Sequence, residues 1–142
     1  MKKCNAISLF CESIRQEFND QQTLVGVLSD SISVSNLPGQ IPMLAIYTRI
    51  NFAIGEDISA LSVDFISPDG AVISHNDLDL AIIEQSKREA MLKEYPSFGL
   101  ITTLTITNFP VLSAGVFTVE VTADKDKFLA GILGIRLVPY SA

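Results

Sequence analysis

The residues able to do chemistry in this chain of 142 residues are few. His75 is its one histidine, and Cys4 and Cys11 are its two cysteines. A Ser-His-Asp site must be built on His75 or not at all, and a zinc site made of several histidines is excluded. No G-x-S-x-G is present, and Gly26, Gly39, Gly55 and Gly70 stand singly, so there is no glycine-rich phosphate loop. His75 lies beside Asn76 and Asp77 in a polar stretch, where a solvated turn residue is the simplest expectation. The cysteines are seven residues apart. On one extended strand they would face opposite sides, too far apart for a disulfide. They also lack C-x-x-C spacing. Two free thiols point to a reducing compartment, hence the cytoplasm.

The carboxylates are the other chemical resource. Between residues 51 and 80 there is no Lys or Arg, yet Glu56, Asp57, Asp64, Asp69, Asp77 and Asp79 all fall there. The plain reading is a solvated acidic rim. A sharper one takes Asp57, Asp69, Asp77 and Asp79 as loop residues that converge on a cation such as Ca²⁺, which needs about six to eight oxygens. No D-x-[DN]-x-[DN]-G loop supports it. A third reading pairs two carboxylates for hydrolysis, with the groups roughly 5–10 Å apart. None of these calls for an organic cofactor.

The elements that would hold such residues are strands. Residues 3–18 mostly alternate, with Ile7, Leu9 and Cys11 against Ala6, Ser8 and Phe10, which favours a strand over the helix that Phe10, Ile14 and Phe18 at i, i+4 and i+8 would allow. The polar turn 19–22 leads to a second strand segment over 23–34, making a hairpin. Gly26 there marks a bulge or a close backbone approach. Residues 37–42 hold Pro38-Gly39 and Pro42, which predicts a loop. Strands follow over 43–52 and 58–66, then a turn at Ser67-Pro68-Asp69-Gly70, then strands over 71–74 and 78–82. Residues 82–95 are rich in helix formers, with Glu84/Arg88 and Glu89/Lys93 at i,i+4, and predict one short helix, with a polar, mobile connection as the rival reading. Strands resume over 100–109, 116–122 and 128–138. Thr103, Thr105 and Thr107 on one strand and Thr118 and Thr122 on another would form one polar β-face, ordinary for an exposed sheet.

Strands at this spacing with a single helix predict an all-β fold: one antiparallel β-sandwich, Ig-like or C2-like, over the whole chain. A net charge of −6 argues against nucleic acid and an anionic membrane surface as partners. No apolar run approaches the roughly 20 residues of a membrane span. Met1-Lys2-Lys3 looks like a signal start, but Asn5, Ser8, Glu12 and Arg15 interrupt the apolar segment, so secretion is not expected.

Phe10-Cys11-Glu12, Ile14-Arg15 and Glu17, then Leu24-Val25-Gly26-Val27, then Leu37-Pro38 and Ile41-Pro42 form the series F-C-E-x-I-R-x-E, L-V-G-V, L-P-x-x-I-P. With this series the chain resembles a family of small, uncharacterised bacterial proteins. The resemblance implies a small bacterial sandwich domain and carries no catalytic residue with it. The function expected is therefore a non-enzymatic protein-interaction or assembly module, an accessory subunit or homo-oligomer. Leu37, Ile41 and Met43 are its first candidate contact residues, because a stiff loop need not expose them.

Overall fold

The structure, a computed structural model, describes residues 4–139. The described residues form nine strands, one α-helix and a short 3-10 turn at Phe18–Asp20: β1 (Cys4–Gln16), β2 (Gln22–Val27), β3 (Ser31–Val34), β4 (Gly39–Ala53), β5 (Leu61–Ile66), β6 (Val72–Asp77), α1 (Leu80–Leu92), β7 (Ser97–Val111), β8 (Gly115–Ala123) and β9 (Asp126–Leu137). Two sheets form, in the orders β2-β1-β4-β7 and β3-β9-β8-β5-β6. They enclose one apolar core. Lys3, where the first strand was expected to begin, lies outside the described residues.

Alternation builds the core. Leu44, Ile46, Ile50 and Phe52 of β4 point inward, as do Phe117, Val119 and Val121 of β8, and all are buried. Four rings from both sheets meet at the centre. Phe65 lies 6.4 Å from Phe10, 5.8 Å from Phe109 and 5.8 Å from Phe117 between centroids. Each ring taken fully out of water contributes about 1.5–3 kcal/mol.

Several local expectations give way to longer-range pairing. The hairpin over 3–18 and 23–34 stops at Val27, where β2 ends. Gly26 takes φ +66, the chain crosses over at residues 28–30, and β3 joins the other sheet. There β3 runs parallel to β9, with Ile32 opposite Ile135, so one pairing is not antiparallel. A crossover between sheets leaves no constraint on direction of the kind a tight hairpin imposes.

The expected loop at 37–42 is half strand. Leu37-Pro38 is cis, and β4 begins at Gly39, opposite Val111. Pro42 is tolerated because β1 flanks β4 only from Ala45 onward, and Asn108, at φ 54, stands where its partner would be. The helix starts earlier than residue 82. Asp79 caps it, its side chain accepting from the Ala81 amide at 2.9 Å, and this cap absorbs the strand expected over 78–82. Lys87 Nζ pins the helix to the β4–β5 connection, donating to the Glu56 carbonyl and to Asp57 Oδ1, both at 2.7 Å. Among the described residues no helix is long and apolar enough to cross a membrane.

The two lateral sides of the sandwich differ. On one side β1 lies against β9, where a Cβ on Gly131 would sit 3.1 Å from Ser8 Cβ. Small residues let the sheets pinch there, well inside the usual spacing of about 10 Å. Ser8 Oγ and Thr48 Oγ1, both buried, satisfy one another at 2.7 Å beside that contact. On the other side lie the terminal strands β7 and β6. Among the described residues no strand closes that side, and α1 packs against β7.

Candidate functional site: the open edge between β6 and β7

Where the sheets splay, a cleft of about 300 Å³ reaches toward the core. Its floor is apolar: Ile46, Val63, Phe65, Leu104 and Val119. Thr48 and Thr102 supply hydroxyls, and Ser74 and Asn76 line the β6 side. Asn76 Nδ2 donates to Thr102 Oγ1 at 3.2 Å, a single side-chain bond across the mouth. Thr48 Oγ1 is hydrogen-bonded to Ser8 Oγ. The volume lies at the small end of ligand pockets.

His75 is also among the residues at this cleft. It lies on β6, paired across from Asp64 of β5, rather than in a turn. Val63 and Phe65 face the interior, so Asp64 and His75 share the outer face. His75 Nδ1 is 2.5 Å from Asp64 Oδ1 and Nε2 is 3.0 Å from Asp77 Oδ1. The hydrogen bonds to Asp64 and then Asp77 hold its pKa above the ordinary 6.5. With both ring nitrogens occupied, the arrangement is a clasp between β5 and the edge strand β6. The thiols are equally unpoised. Burial, reinforced by Glu56, pushes Cys4 up to about 11, and burial also raises Cys11.

The four candidate cation ligands are placed apart. Asp57 pairs with Lys87, and Asp79 caps α1. Asp77 bonds His75. Asp69 accepts from Ser67 Oγ and the Ala71 amide inside its own turn, at the far end of β5 from the other three. That turn holds its carboxyl below the usual range, through Ser67 first and Ala71 second. Among the described residues no group of three or more His, Cys, Asp or Glu is arranged to hold a metal ion. Of the proposed contact residues, Leu37 and Ile41 are half-buried against the core, while Met43 is exposed. The threonines divide as well. Thr103, Thr105 and Thr107 lie on the first sheet and Thr118 and Thr122 on the second, so they do not form one face.

Sequence reasoning missed the edge itself. β7 pairs with β4 along nearly its whole length, from Ser97 opposite Ala53 to Val111 opposite Gly39, and is the terminal strand of its sheet. α1 packs against its first residues, 97–101, and beyond them its other side presents backbone N–H and C=O groups with no neighbouring strand among the described residues. Natural edges are normally blunted by charge. Here no Asp, Glu, Lys, Arg or His occurs between Tyr95 and Val119. That gap in charge was the readable signal.

A family model described as a family of unknown function (DUF6941) matches residues 6–132. No curated protein and no solved structure matches the chain.

Proposed function

The chain belongs to the DUF6941 family, a family of unknown function, and we propose that it is a non-enzymatic protein-interaction or assembly module. The observation that carries this reading is the uncharged edge of β7 beside the apolar cleft. A strand added there gains main-chain hydrogen bonds from the edge, and every second side chain is presented to the cleft. The same surface has no activated group to offer a substrate. His75 is engaged on both nitrogens, and both thiols sit above their ordinary range. A cytoplasmic location accompanies the reading, supported by two cysteines unable to bridge on one strand. The net charge of −6 supports a protein partner over nucleic acid or an anionic membrane. Cation binding and carboxylate-dependent hydrolysis are weaker readings, because Asp57, Asp69, Asp77 and Asp79 have separate local partners.

The test is the native size of the protein in extract of its own cells. The module reading predicts that the chain migrates well above its 15.4 kDa mass. It also predicts that Thr103→Lys/Thr105→Lys, which charges β7 without touching the core, returns it to that mass. Migration of the wild type as a lone chain contradicts the reading.

A further inference from the structure

We infer that β7 pairs with the β7 of a second copy of this chain, antiparallel about a two-fold axis at Leu104. This rests on the module reading and names its partner. Three observations select a second copy. First, the inward-facing residues of β7 are not uniformly covered. Phe98, Leu100, Phe109 and Val111 are buried, but Thr102, Leu104 and Ile106 between them are only half-buried. The exposure of inner-face side chains is thus confined to the middle of the free edge.

Second, this segment matches itself. Residues directly opposite in an antiparallel pair share a face. A two-fold copy must therefore set inner residues against inner ones. Around Leu104 the sequence runs Thr102-Thr103-Leu104-Thr105-Ile106. Reversed upon itself, it sets Leu104 against Leu104, and Thr102 against Ile106, on the inner face where the two clefts open. On the outer face it sets Thr103 against Thr105 twice, a favourable cross-strand pairing. The interface is isologous, as a closed dimer requires.

Third, charge favours this edge over the rest of the surface. Two copies of net charge −6 repel one another, and β7 lies in the stretch from Tyr95 to Val119 that carries no charge. The joined first sheets would run β2-β1-β4-β7-β7-β4-β1-β2. That is a continuous eight-stranded sheet, within the common limit of about ten.

The experiment is light scattering of the purified full chain over a concentration series. The wild type is expected to reach twice 15.4 kDa. Thr103→Lys/Thr105→Lys, which sets lysine against lysine across the axis, is expected to stay at the single-chain mass. Thr103→Glu/Thr105→Lys is expected to regain the doubled mass, because each introduced glutamate faces the introduced lysine of the other copy. Leu104→Cys gives a second reading independent of the lysine variants. On oxidation it should form a dimer linked through residue 104 that the wild type does not form. A wild type that stays at the single-chain mass throughout overturns the inference. So does a doubled mass that survives Thr103→Lys/Thr105→Lys in a folded protein. Failure of both the charge-swapped variant and Leu104→Cys overturns the Leu104 register. A purified chain that is single, but that enters a larger complex in extract through β7, overturns self-pairing while leaving the module reading in place.

Discussion

His75 illustrates how much a residue's role depends on its neighbours. Read as sequence, His75-Asn76-Asp77 is a polar turn. In the fold β6 extends to Asp77, so His75 and Asp77 share a face and Asp64 stands across from the ring. A strand was readable only over 71–74, short of His75, and nothing local identified Asp64 as the partner. The two carboxylates raise the His75 pKa above 6.5, Asp64 more than Asp77. The clasp therefore contributes its full stability below the unfolded-state value of 6.5 and loses it as pH rises through the higher folded value. In urea titrations across a pH series that begins below 6.5, the stability advantage of wild type over His75→Gln is expected to shrink as pH rises. An advantage that stays constant with pH contradicts a protonated clasp.

At the scale of elements, the strands with clean alternation were legible from composition alone. β5, with Leu61, Val63 and Phe65, and β8, with Phe117, Val119 and Val121, are two such cases. The helix was legible in kind, though its start depends on Asp79 as cap. What escaped were features set by a distant partner. β3 belongs to the other sheet because β9 receives it, and Gly39 is in a strand because Val111 lies opposite. The pinch between β1 and β9 is of the same kind, since Gly131 marks a close approach without naming Ser8. Its importance is testable. Gly131→Val overpacks the contact and is expected to lower unfolding free energy by about 1–3 kcal/mol in a denaturant titration. An unchanged midpoint would mean that the sheets separate freely at that point.

For the whole molecule, a pinched side opposite an open one is the organising fact. The sequence contained the material for both, with small residues at Ser8 and Gly131 and an uncharged run from Tyr95 to Val119. It could not show which strand ends a sheet, because edge or centre is a property of the assembled order. The Leu37, Ile41 and Met43 segment drew attention first because of its prolines. Two of its three side chains pack on the core, and the contact surface we propose lies on β7, the strand that β4 pairs with. The most direct test of that surface is amide hydrogen exchange of the purified protein, compared between dilute and concentrated solution. The account predicts that amides of residues 100–107 gain protection with concentration, while those of β2, the terminal strand on the far side of the same sheet, do not change. Exchange in β7 that is independent of concentration, or protection that appears on β2 instead, would contradict it.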